Sequence, residues 1–238
     1  MGDMQINGST ALVTGANRGL GKAFAEALLA RGATVYATAR RLESIDIPGA
    51  IALQLDITDP ASIEAAAGKV GDLDILINNA GTSTEAPLLG PSTENIRRDF
   101  DTNFWGTLNV TRAFAPRLAG GAILNVISAL SWYTFSPGSN GYAASKAAEW
   151  SLTNGIRLEL ADQKTLVTAL ALAIADTDMM AGVDIPKLAP HEVVAQALDG
   201  LEAGKIEVIA DKPTANVKAS LSRDPADFYA DITGNLFA

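Results

Sequence analysis

The chain has 238 residues, 48% of them hydrophobic and 19% charged, with a formal net charge of −9 and no cysteine. Such an acidic balance argues against a nucleic-acid surface, which needs clustered Lys and Arg, and leaves no polybasic segment for anionic lipid. The missing cysteine excludes disulfides, thiolate catalysis and zinc–cysteine sites together.

In chain order, Thr10–Thr14 reads as a first strand and Gly19–Arg31 as a helix ending at Gly32. Thr34–Ala39 and Ala50–Leu55 follow as strands, and a helix opens at Asp59-Pro60, with Asp59 as N-cap and Pro60 at the first helical position. Leu73–Ile77 is a fourth strand, a long helical pattern runs from about Thr93 to Leu118, and Ala122–Ile127 is the next strand. A helix over roughly Gly141–Ala161 and a strand at Leu166–Leu172 come next. A helix at about 190–203, a strand at Ile206–Ala210 and a short helix near 213–221 complete the pattern. Apolar strands separated by helices predict an α/β fold: a single doubly wound parallel sheet, helices on both faces, ligands at the carboxyl ends of the strands.

No linker or composition break divides the chain, so residues 1–238 are expected to form one domain. Met1 to Gly8 lack the charged start and apolar run of a signal peptide. No apolar stretch is long enough to span a bilayer, Leu166–Ala175 coming nearest. A cytoplasmic location is the expectation.

The first strand leads into Thr14-Gly15-Ala16-Asn17-Arg18-Gly19-Leu20-Gly21 and then a helix. This is a Rossmann-type dinucleotide site in outline: Gly15 for the turn, Gly19 for close approach of backbone to a pyrophosphate, Gly21 for packing of helix on strand. The helix start offers free N–H groups to phosphate. A P-loop, suggested by Lys22, would need Gly at 16 and Ser or Thr at 23, where Ala16 and Ala23 stand. About twenty residues past the glycines an NAD site usually places an acid against the ribose 2′-hydroxyl. Here the second strand ends Ala39-Arg40-Arg41. With Arg18 in the glycine turn, Arg40 suits a 2′-phosphate, so NADP(H) is the predicted cofactor.

Asn78-Asn79-Ala80-Gly81 follows the fourth strand, and Tyr142-Ala143-Ala144-Ser145-Lys146 lies on a predicted helix. Residues four apart share a helix face, so the Lys146 ammonium is expected to favour the Tyr142 phenolate and bring its pKa toward working pH. That suits a general acid for ketone reduction and a base for alcohol oxidation. Ser128 exposes a hydroxyl at the end of its strand, with Ser131 and Ser136 as competitors, and Asn103 is a mid-helix asparagine of mediocre helix propensity.

The glycine spacing G-x-x-x-G-x-G, the NNAG segment and the Asn103, Ser128, Tyr142, Lys146 set in this order resemble the short-chain dehydrogenase/reductase family. The likeness covers Thr10 to about Met180 and points to an NADP(H)-preferring, carbonyl reductase-like member. It implies hydride transfer between a nicotinamide and a carbonyl or alcohol carbon. Tyr142 would be the acid/base, Ser128 would orient the oxygen, Lys146 would hold the ribose and Asn103 would fix a relay water. On the cofactor it implies Asp56 at the adenine, the Ile57 backbone beside it, Asn79, Ala80 and Gly81 near the ribose, and Tyr142 and Lys146 facing the nicotinamide side. The cofactor half would reach to about residue 120 and the catalytic and substrate half would follow.

One segment departs from the family, which usually has Pro-Gly where this chain has Leu172-Ala173 in Leu172-Ala173-Ile174-Ala175-Asp176-Thr177. Ala175 and Thr177 stand as the implied nicotinamide contacts, but a positive φ at 173 would cost more with Ala than with Gly. Leu130, Trp132, Tyr133, Phe135, Met179 and Met180 could wall an apolar pocket for a small carbonyl substrate or serve as packing residues. His191, the only histidine, reads as part of a helix start, and no metal site is expected. A regulatory protein that binds NADP(H) without turnover, and an epimerase or dehydratase on the same fold, are the alternatives. The resemblance also implies a homodimer or homotetramer through the two long helices.

Overall fold

The computed structural model describes residues 4–134, 137–182 and 184–233; Phe135 and Ser136 lie outside them. Its strands are β1 (Thr10–Val13), β2 (Thr34–Ala39), β3 (Ile51–Gln54), β4 (Ile75–Asn78), β5 (Ala122–Val126), β6 (Leu166–Ala171) and β7 (Glu207–Ile209). They form one seven-stranded sheet in the order β3-β2-β1-β4-β5-β6-β7, and every pairing is parallel. The reversal of strand order between β1 and β4 opens the crevice in which such sheets take ligands.

Helices α1 (Gly19–Ala30), α2 (Pro60–Ala67), α3 (Glu94–Phe100), α4 (Thr107–Phe114), α5 (Asn140–Glu159), α6 (Pro190–Glu202), α7 (Lys212–Ala219) and α8 (Pro225–Thr233) connect and follow the strands. Alternation along each strand sorts the core into two layers. Ala11 and Val13 of β1 join Phe24 and Leu28 of α1 and Val194 and Leu198 of α6. Leu12 faces the other way, into Ile63 of α2, Val110 and Phe114 of α4 and Ile156 of α5. Both sheet faces are thus apolar and covered, the condition for an all-parallel sheet. Arg31, just past α1, fastens one layer by pairing with Asp199 and Glu202 of α6, at 2.7 Å each.

The predicted strands and helices recur with ends shifted by one or two residues, apart from two differences. The long helix expected over 93–118 is broken in its middle by a π-helical segment, Asp101–Gly106, between α3 and α4, and ends in a 3-10 turn. The widening seats Gly106 against the third-strand loop: a Cβ there would lie 2.7 Å from Ile57 Cδ1. The second difference is α8, which has no counterpart among the predicted elements. Its anchor is aromatic packing, with Phe228 stacked on Tyr133 at a centroid distance of 3.7 Å, a contact between distant residues that helical periodicity does not report.

Phe24 is fully buried between α1 and the sheet. Phe24→Ala is therefore expected to lower unfolding stability by about 3–5 kcal/mol, read as a lower urea midpoint at unchanged slope.

Candidate active site

The loops at the carboxyl ends of the strands are held together by hydrogen bonds from the strand termini. Thr14, at the end of β1, accepts through Oγ1 from the N–H groups of Asn79 and Ala80, at 3.0 Å each. Asn79 Nδ2 donates to the Thr14 carbonyl at 2.9 Å and the Gly15 carbonyl at 3.3 Å. The glycine turn and the NNAG segment are thereby one unit. One layer below, Asn78 Nδ2 donates to Asn125 Oδ1 and Thr111 Oγ1, and Asn125 Nδ2 to Thr153 Oγ1, tying β4 and β5 to α4 and α5.

The glycine turn is shaped for close approach. Gly19 has φ +55°, and a Cβ on Gly21 would lie 2.1 Å from the Gly15 carbonyl oxygen. The first bond of α1 runs from Lys22 N–H to Arg18 C=O at 3.1 Å, so the N–H groups of Gly19, Leu20 and Gly21 precede the helical ladder. Asn17 is half-buried in the turn, and Leu20 packs on the core. Ala39 is buried at the end of β2 while Arg40 is exposed. Arg18 is exposed too and pairs with Asp178 at 3.2 Å. Asp56 Oδ1 accepts from the Thr58 N–H at 2.9 Å and hydroxyl at 2.7 Å, so it braces its own turn. Asp59 caps α2 as expected, accepting from the Ala61 N–H at 3.0 Å.

Tyr142 lies in the first turn of α5, with Lys146 one turn on and its Nζ 5.8 Å from the tyrosine ring centroid. Ser128 follows β5, where its hydroxyl accepts from the Leu130 N–H at 3.1 Å and is close enough to the Tyr142 phenol to favour its charged form. Ser131 instead accepts from the Ser128 N–H, which makes it part of the turn that presents Ser128. Asn103 sits in the π-helical segment, fully buried. Its Oδ1 accepts from the Thr82 N–H, and its Nδ2 donates to the Thr82 carbonyl and Ser145 Oγ, all at 2.9 Å. Gly81 closes the ring: a Cβ there would lie 3.2 Å from Asn103 Oδ1 and 3.6 Å from Lys146 Nζ.

The electrostatics differ from the simple expectation. Burial of the phenol pushes Tyr142 up; Lys146 and Ser128 pull it down, Glu149 and Asp99 oppose them, and the net direction is upward. The expected depression fails first because the phenol is buried, and second because Lys146 is not alone. Its Nζ donates to Glu149 Oε2 at 2.6 Å and to the Val126 carbonyl at 2.9 Å. Burial pushes the ammonium down, but Glu149 and Tyr142 together outweigh that and hold it above the usual lysine value. Glu149, 1% exposed, is itself pushed up by burial against the pull of Lys146 and Thr107. Sequence reasoning passed over this carboxylate, although its position three residues after Lys146 on a helix was the available signal.

The departure at 172–177 is free of the feared strain. Among the described residues the non-glycine positions with positive φ are Glu85 and Lys164, so Ala173 needs no glycine-like backbone. The Ala173 N–H is taken by Asp211 Oδ2 at 2.8 Å, while Asp211 Oδ1 caps α7. Ala175 is buried and bridged to Leu188. Thr177 lies against the glycine turn, its Cγ2 3.2 Å from where a Gly19 Cβ would be. Trp132 and Tyr133, offered as pocket walls, serve as packing: Trp132 meets Trp150 edge-on, and Tyr133 stacks on α8.

A model of the short chain dehydrogenase family matches residues 9–187. The chain belongs to this family. Sorbitol dehydrogenase of Cereibacter sphaeroides is 36% identical over 209 residues, covering 79% of this chain and 78% of that protein. D-erythrulose reductase of Gallus gallus is 36% identical over 186 residues, covering 74% of this chain and 75% of its own. The crystal structure of a short chain dehydrogenase from Burkholderia cenocepacia in complex with NADP superposes with a TM-score of 0.91, at 38% identity, covering 97% of this chain and 99% of the other. As a short-chain dehydrogenase the chain is an oxidoreductase of the family that uses a nicotinamide cofactor, and the glycine turn, with its side-chain-free floor and unpaired N–H groups, fits the pyrophosphate of such a group. Among the described residues no helix is long and apolar enough to cross a membrane.

Gly21→Val places branched carbons on the Gly15 carbonyl. Calorimetry is expected to show nucleotide binding weakened by more than about tenfold, roughly 1.4 kcal/mol, whereas unchanged affinity would show that the turn does not carry the phosphates.

Proposed function

We propose that this short-chain dehydrogenase works as one domain that reduces a ketone or aldehyde to an alcohol, reversibly, with NADP(H) as cofactor and Tyr142 as general acid/base. The observation that carries the reading is the Tyr142 phenol one helical turn from the buried Lys146 ammonium, whose Nζ lies 5.8 Å from the ring centroid, with Ser128 beside it at the end of β5. Bound along the glycine turn, the nicotinamide supplies the hydride in reduction and receives it in oxidation.

The chain's own residues then handle position and the proton. Ser128 Oγ and Tyr142 Oη converge on the substrate oxygen and orient it. Tyr142 gives its proton to that oxygen during reduction and takes one during oxidation. Lys146 keeps positive charge beside the phenol and offers its remaining N–H to the ribose. Asn103 has both Nδ2 hydrogens and Oδ1 engaged with Thr82 and Ser145, so a relay water would rest on its backbone carbonyl.

Arg18 and Arg40 suit the 2′-phosphate of NADP(H) and Ala39 offers no competing acid. Arg18's pair with Asp178 is exposed on both sides, and such pairs contribute about 1 kcal/mol or less, so the guanidinium is cheaply released. Asp56, the Ile57 backbone and the Asn79–Gly81 segment take the adenosine and ribose side, Ala175 and Thr177 the carboxamide. Association through the helical stretches 93–118 and 141–161 into a homodimer or homotetramer accords with the exposed Trp105 of the π-helical segment and the exposed Leu158 of α5.

The acid/base role of Tyr142 sets the sign of the pH dependence, and its upward direction places the limb on the alkaline side. Reduction uses the phenol and is expected to hold level through neutrality and fall on the alkaline side; oxidation uses the phenolate and is expected to climb as pH rises. Following the absorbance of reduced nicotinamide, Tyr142→Phe should lose about 10²–10⁴ in kcat with cofactor affinity kept. NADPH should be preferred over NADH by more than roughly tenfold in kcat/KM. A mutant as active as wild type sinks the acid/base assignment; NADH preference sinks the two-arginine argument alone.

A further inference from the structure

The site holds one charged group that the proposed chemistry does not use. Glu149 lies one turn beyond Lys146 on α5, as Tyr142 lies one turn before it, so the ammonium sits between phenol and carboxylate. Both partners of the pair are almost wholly covered, with side chains 5% and 1% exposed. The second carboxylate oxygen, Oε1, accepts from Thr107 Oγ1 at 3.2 Å, at the start of α4 immediately after the π-helical segment. Two of the three ammonium donors are thus committed, to Glu149 and to the Val126 carbonyl, which leaves one to point toward Gly81 and the cofactor side.

Stability alone is a poor reason for such a pair. Removing two charges from water costs several kcal/mol per ion, and apolar residues of similar size often do as well or better. Its placement beside the reacting phenol is informative instead. A lone ammonium there would draw the proton off Tyr142, whereas an ammonium with a carboxylate on its far side exerts a much reduced field.

We propose that Glu149 is a positioning residue for Tyr142: its buried carboxylate anchors Lys146 on the Val126 carbonyl and cancels part of the lysine charge felt at the phenol. This rests on Tyr142 being the acid/base of the proposed reaction. Other charges around the phenol are few. Asp99, buried on α3 and held by the Thr84 N–H and hydroxyl with Arg98 beside it, acts in the same direction as Glu149. Ser128 at the end of β5 acts in the opposite one. Asp101 of the π-helical segment is exposed, and β6 and the turns at 129–131 and 137–139 carry no ionisable side chain. The consequence is a pH window: the phenol stays a proton donor across neutrality, and the alkaline limb belongs to the coupled Tyr142–Lys146 pair.

The test is the pH profile of kcat and kcat/KM for alcohol oxidation in wild type, Glu149→Gln, Glu149→Asp and Tyr142→Phe. Gln keeps an acceptor for the ammonium and removes the charge, so the limb is expected to move to lower pH by roughly one unit, the effect of one charge a few ångströms away inside a protein. Asp keeps the charge and should leave the limb near its wild-type position. A limb unmoved by Gln, even with lower activity or melting temperature, overturns the proposal, and so does an Asp limb that moves as far as the Gln limb. A second measurement needs no change at 149: phenolate absorbance of the cofactor-free protein, wild type minus Tyr142→Phe. It is expected to appear above the ordinary tyrosine value of about 10; appearance below it overturns the proposal. An active Tyr142→Phe enzyme would instead remove the acid/base reading beneath it, and is told apart by that result alone.

Discussion

A lysine ammonium inside a protein must be matched by acceptors, because its charged form is otherwise driven out by the loss of water. Lys146 meets that demand with the Val126 carbonyl at the end of β5 and the Glu149 carboxylate on its own helix. Those two contacts define where β5, α5 and the start of α4 can sit relative to one another. Neighbouring parts of the site fit around them: a Cβ on Gly81 would crowd Asn103 Oδ1 at 3.2 Å, and the buried Thr107 hydroxyl donates to the second Glu149 oxygen.

The parallel sheet supplies the frame around that pair. Its strands end together on one edge, where backbone groups no longer have ladder partners and side chains must satisfy them. Thr14, Asn79 and Asn103 do that work on the backbone of the neighbouring loops, while Asn78 and Asn125 bond side chains of α4 and α5. The π-helical segment belongs to the same logic. Local widening of a helix is found at functional positions, and here it presents Asn103 to the Thr82 loop and to Ser145 while Gly106 slides against Ile57.

Toward the C-terminus, where the family usually has Pro-Gly, this chain holds its backbone with a side-chain contact. Asp211 joins the 172–177 segment to the start of α7 by bonding the Ala173 N–H, and Thr177 and Asp178 lean on the glycine turn. Trp132 and Tyr133 are drawn away from a substrate wall and into packing with Trp150 and Phe228. The 172–177 segment is therefore pinned to the start of α7 through one carboxylate, and the loop after β5 to α8 through an aromatic stack.

Alternating apolar strands and helices, the glycine turn, and the Tyr142 and Lys146 spacing were legible because each depends on local periodicity or on backbone geometry that only glycine allows. They determined the fold class, the sheet edge that carries the site, and the residues gathered there. What the sequence could not determine was the balance of charge at the phenol. That balance depends on Glu149 and Asp99 being buried together with Lys146, and burial is a property of the packed helices. The π turn and the fate of Trp132, Tyr133 and α8 were equally out of reach, since they arise from contacts between residues far apart in the chain. Spacing along a helix says which side chains are neighbours; only the tertiary structure says which of them lose their water, and that loss decides how strongly their charges act on one another.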